Sequence, residues 1–215
     1  AVSESRFRDF CDAYEEIAVP FWFNTRPETI TKAKIRTLEK IGCHRMSVGV
    51  EAGNEGYRRT MLNRNVSNER IVEACRIVSD SSIQLSVNNI IGFPDETREM
   101  MFDTIYLNRQ IDADIYSCSI FQPYRGTVLY DYCVDKGYYD KNQLAYDLTV
   151  TSPLNQPFIT RDEITGIART FPLYIKFPAE DFDTIKKAER CDDEGYLIFD
   201  HLAAIYREKY EKRSS

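Results

Sequence analysis

Four short polar clusters in this sequence carry residue types from which a binding site is built. They are Asn24 with Arg26, Glu51 to Asn54, Asn88 with the turn Gly92–Glu96, and Gln122–Pro123 to Gly126. A carboxylate such as Glu51 can accept hydrogen bonds from two neighbouring hydroxyls, as a ribose presents them. The same carboxylate at the start of a helix stabilises the helix dipole, and spacing alone slightly favours that structural role. Arg64, in Leu62-Asn63-Arg64-Asn65, could grip a carboxylate through paired hydrogen bonds. A solvated surface arginine is the commoner outcome, and residue type alone selects it. Asn88 and Asn89 interrupt an apolar run. Side chains alternate along a strand, so one amide must face inward and find a partner. A polar ligand and a neighbouring protein group fit that need equally. Gly92 permits a tight turn and close approach of a flat ligand. Neither G-x-x-x-x-G-K nor G-x-G-x-x-G occurs, so no phosphate loop is expected.

Other chemistries find less support. His44 precedes an expected strand and His201 lies in an expected helix near the end, so neither forms a Ser-His-Asp or Cys-His arrangement. Cys11, Cys43, Cys75, Cys118, Cys133 and Cys191 are scattered, without C-x2-C or C-x3-C-x2-C spacing. They read as buried thiols rather than metal ligands or disulfides. Tyr130, Tyr132, Tyr138 and Tyr139 read as packing rather than a platform for bases.

These clusters need elements to position them. Apolar strands alternate with polar loops and amphipathic helices, the pattern of a parallel α/β sheet. The spacing predicts a helix over Glu4–Glu16 and a strand over Ile17–Phe23. A helix capped by Thr29 or Thr31 follows and ends at Gly42. Strand Met46–Val50 leads into a short helix with Tyr57 and Met61, then a helix capped by Ser67. Strand Leu85–Ile91 precedes a helix opened by Thr97, and strand Ile115–Phe121 precedes one opened by Thr127 and ended by Gly137. Asp140–Pro157 reads as an irregular connection. Thr160-Arg161-Asp162-Glu163 fits a capping box whose helix Pro172 and Pro178 limit. A last helix is expected from Asp193 to Lys212. Ligands in parallel sheets bind at the carboxyl ends of strands, and each polar cluster falls at such an end.

With 215 residues and 43% hydrophobic content, the chain can bury a substantial core. A formal net charge of −6 argues against a broad grip on nucleic acid or anionic membranes. No apolar run approaches the roughly 20 residues of a membrane helix, and no secretory signal opens the chain, so a cytoplasmic location is expected. The first residue is Ala1 and the first methionine Met46, which points to a fragment.

The runs Gly49-Val50-Glu51-Ala52-Gly53-Asn54-Glu55, Leu62-Asn63-Arg64, Asn88-Asn89-Ile90-Ile91-Gly92-Phe93-Pro94-Asp95-Glu96-Thr97 and Pro123-Tyr124-Arg125-Gly126-Thr127 follow one another in a specific order. Together they resemble radical S-adenosylmethionine (SAM) enzymes, most of all the iron–sulfur oxidoreductases in which a cobalamin-binding domain precedes the radical SAM domain. The resemblance covers roughly residues 5 to 140. It implies the later strands of a partial (β/α) TIM-like barrel over residues 1–138, with a helical extension over 139–215. It also implies SAM and a [4Fe-4S] cluster as cofactors of the full-length protein, with cobalamin a further possibility. Under it, Glu51 and Asn88 would contact the SAM ribose, and Arg64 its carboxylate. Gly92 to Glu96 would support the adenine region, and Gln122 and Pro123 would offer backbone contacts to it. Asn24 and Arg26 would line the cavity near SAM or substrate.

Three departures are local: Ala52 stands where serine is usual, Asp95 where glycine is usual and Arg125 where proline is usual. The absent C-x3-C-x2-C loop matters more. Its expected place is upstream of Ala1, together with two strands, leaving this chain inactive alone and binding no cofactor by itself. Missing strands or another subunit would cover the open sheet edge; the substrate stays unread. The expected function is part of a radical SAM iron–sulfur oxidoreductase or methyltransferase. The alternative is a non-catalytic binding or assembly module derived from the same barrel. An unrelated barrel hydrolase or aldolase is weaker, because no base, nucleophile or metal set is evident.

Overall fold

The computed structural model describes residues 3–17, 19–142 and 151–210. Helix α1 (Glu4–Ile17) leads to β1 (Phe21–Thr25), a 3₁₀ turn (Pro27–Thr29) and α2 (Lys32–Lys40). Strand β2 (Cys43–Glu51) is followed by α3 (Glu55–Thr60) and α4 (Asn68–Ser79). Then come β3 (Gln84–Ile91), α5 (Arg98–Asn108), β4 (Ile115–Ile120) and α6 (Val128–Asp135). The last part is helical: α7 (Arg161–Lys176), a 3₁₀ turn (Ala179–Asp181), α8 (Phe182–Ala188) and α9 (Asp193–Lys209).

The predicted caps form. Thr31, Ser67, Thr97 and Thr127 each accept a hydrogen bond from a backbone N–H of the first helical turn. Thr160 and Glu163 close the capping box on α7. Such caps satisfy donors that the helix itself cannot. Gly42 and Gly137 end their helices at φ 91° and 71°, where a side chain would be strained.

The four strands form one open parallel sheet in the order β1-β2-β3-β4. In the β1–β2 register Trp22 faces Arg45 and Asn24 faces Ser47. Strands β2, β3 and β4 each have a mainly apolar side and a mainly small or polar side. In β2, Met46, Val48 and Val50 are buried and alternate with Ser47, Gly49 and Glu51. In β3, Leu85, Val87, Asn89 and Ile91 alternate with Ser86, Asn88 and Ile90. In β4, Tyr116 and Ile120 alternate with Ser117 and Ser119. A parallel strand packed by helices on both faces reads as a continuous apolar run. Here only one face reads that way.

Several expectations need correction. The first strand starts at Phe21, because α1 runs on to Ile17 and Pro20 cannot donate to a ladder. Strand β2 begins at Cys43, so His44 lies inside it near its start. Pro172 sits inside α7 instead of limiting it. One missing hydrogen bond is outweighed there by the burial of Ile164, Ile167, Phe171, Leu173, Tyr174 and Ile175. Helix α8 was not foreseen. Cys118 and Cys191 are half-buried, whereas the other four thiols are buried. Part of the expected Asp140–Pro157 connection, residues 143–150, and the end of the last helix beyond residue 210 lie outside the described residues.

Contacts divide the chain into two compact units. The first comprises residues 1–50, 66–88 and 110–116; the second comprises 51–65, 89–109 and 117–215. In the first unit Phe10, Tyr14, Phe21 and Phe23 form an aromatic set between α1 and β1. In the second, Ala52, Tyr57, Phe93, Phe121, Cys133, Tyr139 and Leu154 form a buried cluster. Its interior includes Tyr139, one of the tyrosines read as packing.

Candidate functional site at the strand ends

Two of the four polar clusters, and the Gly92–Glu96 turn of a third, belong to the second unit, and its core brings them together. Ala52 follows Glu51, Phe93 follows Gly92, and Phe121 precedes Gln122; all three share one buried cluster. The rings of Phe93 and Phe121 lie 5.1 Å apart, and those of Tyr57 and Phe93 6.0 Å apart. The turns leaving β2, β3 and β4 are therefore held over a common apolar base.

The turn after β2 is tightly built. Glu51 has φ 68°, the left-handed region, which costs a non-glycine residue about 1–2 kcal/mol. Backbone strain of this kind gathers at functional sites. Gly53 has no room for a side chain: a Cβ there would meet the Asp103 carbonyl oxygen at 2.3 Å. Its N–H donates to Thr104 Oγ1 at 2.8 Å. Asn54 caps α3 and donates to Asp103 Oδ2 at 2.8 Å. Arg58 is wholly buried and donates from Nη1 to the Ala52 carbonyl at 2.5 Å.

Arg64 is buried rather than solvated, which corrects the reading from residue type alone. Its Nη1 donates to Glu51 Oε1 at 3.0 Å. Asn63 before it takes φ 49°, a conformation asparagine tolerates, and so turns the chain back toward the strand end. A half-buried carboxylate and a buried guanidinium thus stand together at the carboxyl end of β2.

The turn after β3 is a four-residue reversal, Phe93-Pro94-Asp95-Glu96, closed by Glu96 N–H donating to the Phe93 carbonyl at 3.2 Å. Gly92 has φ 77°, and an added Cβ would press on Ile164 at 2.8 Å. Glu96 is 1% exposed, and its Oε2 accepts the N–H groups of Gly92 at 2.7 Å and Phe93 at 3.1 Å. Burial pushes its carboxyl up to about 8, against the lowering pull of those two donors. Burial and the Glu96 charge together push the Cys118 thiol upward. Asp95 has φ 60° and accepts from two tyrosine hydroxyls, those of Tyr132 and of Tyr138, the latter at 2.8 Å. Gln156 accepts the Asp95 N–H at 2.9 Å and donates to the Phe93 carbonyl at 3.2 Å. Tyr57 donates to the Pro94 carbonyl at 2.6 Å.

After β4, Gln122 and Pro123 are buried. Gln122 Nε2 donates to the Thr151 carbonyl at 3.5 Å, while its Oε1 is buried without a hydrogen-bond partner. An acceptor left unmade is costly and is a natural place for a ligand N–H.

The remaining candidates belong to the first unit. Asn24 and Arg26 are exposed and line a cavity of about 320 Å³ with Phe7, Phe23, Lys34 and Met46. Asn88 is half-buried on the polar side of β3. Asn89, already in the second unit, has the structural role. It is 1% exposed, donates to Asn108 Oδ1 at 3.2 Å, and accepts from Asn108 Nδ2 at 2.7 Å.

Tyr57, Arg58, Gln156 and the Asp95 pair with Tyr132 and Tyr138 were missed as site residues. Gly53 is the residue type that could have signalled this packing. Gln156 is 61 residues from Asp95, whose N–H it accepts.

Parallel strands joined by helical crossovers, with ligand-competent turns at their carboxyl ends, define a barrel-type α/β domain. Residues 6–106 match the radical SAM superfamily, and the chain is similar to its members. An uncharacterized methyltransferase of Pyrococcus horikoshii is 22% identical over 197 residues, 92% of this chain and 42% of that protein. A tRNA-2-methylthio-N(6)-dimethylallyladenosine synthase of Thermosipho melanesiensis is 30% identical over 101 residues, 44% of this chain and 23% of that protein. The solved structure of the cobalamin-dependent SAM radical enzyme OxsB, with aqua-cobalamin and SAM bound, superposes with a TM-score of 0.56 at 13% identity. That match covers 95% of this chain and 36% of the OxsB chain. The chain thus spans less than half the length of these relatives.

The described residues fit the two expected cofactors differently. Among them no group of three His, Cys, Asp or Glu side chains could hold a metal ion. They do not fit a [4Fe-4S] cluster, and no step is derived through one. For SAM the donor set is suitable. The Glu51–Arg64 pair suits an amino-acid and diol ligand, and the orphaned Gln122 Oε1 suits an exocyclic amine.

Proposed function

We propose that this chain forms the nucleoside-facing part of a radical SAM enzyme of the methyltransferase or iron–sulfur oxidoreductase type. The observation that supports it is the gathering of three strand-end turns over one apolar base, with Glu51 and Arg64 paired at the first. SAM, bound with a reduced cluster, supplies a 5′-deoxyadenosyl radical or a methyl group in such enzymes. The chain's own residues bind and orient it. Glu51 accepts from the ribose hydroxyls, and Arg64 donates to the SAM carboxylate. A carboxylate offers about four lone-pair sites and a guanidinium five donors, so the two can stay paired while each takes a ligand contact. Gln122 accepts from the adenine amine, and the Gly92–Glu96 turn and Pro123 flank the base. Asn88 at the ribose, and Asn24 and Arg26 near substrate, rest on the family resemblance.

The cluster ligands, and cobalamin if it is used, belong to residues outside this sequence. So do the strands or the subunit that cover β1, an edge strand with Trp22 57% exposed. The test is SAM binding to the whole natural protein, reconstituted anaerobically, by calorimetry. Glu51→Gln and Arg64→Met should each weaken SAM by about tenfold or more, the loss of one charge-assisted contact. Unchanged affinity in both would overturn the assignment. The second reading, a binding or assembly module without turnover, draws on the scattered cysteines. It predicts a whole protein with no cluster absorbance after reconstitution.

A further inference from the structure

The turn Phe93–Glu96 has Pro94 at its second position and a positive φ at its third, the pattern of a type II turn. Glycine or asparagine suits that third position. Here it is Asp95, at φ 60°. Nothing about the turn itself calls for an aspartate, so its carboxylate requires another account.

We propose that Asp95 is a positioning residue: its carboxylate, gripped by the hydroxyls of Tyr132 and Tyr138, fixes the Gly92–Glu96 turn for its ligand. Each phenol takes a different oxygen, Tyr132 on Oδ2 and Tyr138 on Oδ1, so the carboxylate can neither rotate nor tip. Tyr132 lies on α6, and Tyr138 follows Gly137, which ends the C-terminal turn of that helix at φ 71°. The backbone of Tyr138 accepts the Asn155 N–H at 2.8 Å, and the neighbouring Gln156 bonds the turn on both sides of Pro94. Tyr57 takes the Pro94 carbonyl from α3. The peptide groups from Phe93 to Asp95 are thereby tied to α3, to α6 and to residue 156. Tyr132 is pushed up to about 12, first by its bond to Asp95, as expected of a phenol that donates to a carboxylate. A bare turn would move with Gly92 as its hinge. This one is held by side chains from three separate segments of the second unit.

This inference rests on the turn facing SAM, and the test separates the two ideas. Asp95→Gly suits the backbone better than aspartate but removes the grip. Asp95→Asn keeps the left-handed preference and an acceptor while removing the charge. Tyr132→Phe/Tyr138→Phe removes the donors and leaves the turn sequence intact. In the whole natural protein, hydrogen exchange at the amides of residues 92, 93 and 95–97 reads the grip without any ligand. Calorimetry with SAM reads its consequence. Asp95→Gly and the double phenylalanine variant should each speed exchange there by about tenfold or more and weaken SAM by about tenfold, with Asp95→Asn in between. Melting temperatures should change little, because all three hydroxyl and carboxyl groups are only partly buried. Unchanged exchange in Asp95→Gly overturns the grip. Faster exchange with unchanged SAM affinity overturns the positioning role, provided that Glu51→Gln still weakens SAM. If Glu51→Gln has no effect either, the SAM reading fails, and the exchange data alone decide whether the grip exists.

Discussion

Gly53→Ala tests the packing that holds the first strand-end turn. A Cβ at this position would lie 2.3 Å from the Asp103 carbonyl oxygen and 2.5 Å from Thr104 Cα, about 1 Å inside ordinary contact. Both neighbours are helix backbone, so they cannot rotate away as a side chain would. Overpacking of this kind costs about 1–3 kcal/mol. Backing the turn away from α5 also breaks the 2.8 Å bond from Gly53 N–H to Thr104 Oγ1. A buried N–H left unpaired costs about 1–3 kcal/mol more. The sum is roughly 4 kcal/mol, which for a chain of this size lowers the melting temperature by about 8–16 °C. Urea denaturation and a thermal scan measure both. Thr104→Val supplies the control, because it removes the hydrogen bond without adding volume; Gly53→Ala should cost about 2 kcal/mol less in that background. A loss below about 0.5 kcal/mol in Gly53→Ala would refute the close approach.

Two further outcomes follow from buried charge. Glu96 is easier to protonate folded than unfolded, with its carboxyl at about 8, so the folded chain holds an extra proton between the ordinary carboxyl range and that value. Its contribution to stability therefore falls as pH rises through that window, and Glu96→Gln should flatten this part of the pH–stability curve; an unchanged slope would refute it. Arg98 grips Glu189 with two bonds, at 2.6 and 2.8 Å, and Tyr174 donates to the same carboxylate at 2.5 Å. Glu189→Ala leaves a part-buried guanidinium and a buried phenol unpaired and should cost about 3 kcal/mol. Chemical denaturation would show it, and a loss under 1 kcal/mol would mean that water replaces the carboxylate.

The helices and strands were legible because their signals are local. Capping threonines and serines, terminal glycines and alternating strands stand within a few residues of what they control. The positions of Glu51, Gly92 and Gln122 at strand ends followed from the same rhythm. Arg64 was misread because its partner lies 13 residues away, behind a left-handed asparagine that no periodicity reveals. Pro172 misled because a local rule met a deeply buried helix face. Asn88 and Asn89 could not be separated from sequence, since alternation says that they differ in face but not which is which. The links of Asp95 to Tyr132 and Tyr138 span 37 and 43 residues, beyond any pattern in the chain.

The reciprocal amides of Asn89 and Asn108 have a consequence for how the sheet assembles. The inward side of β3 offers Leu85, Val87 and Ile91, which a hydrophobic core scarcely distinguishes. A slip of two residues along the strand would keep every apolar side chain on its proper face. It would also set Val87 or Ile91 against Asn108, whose amide would keep only the Thr104 carbonyl. Unmatched amides there would cost a few kcal/mol, enough to make the shifted alignment a rare error. The pair works as an alignment key, a single polar tooth in an otherwise uniform apolar row, and it lets a chain with interchangeable core residues settle on one register.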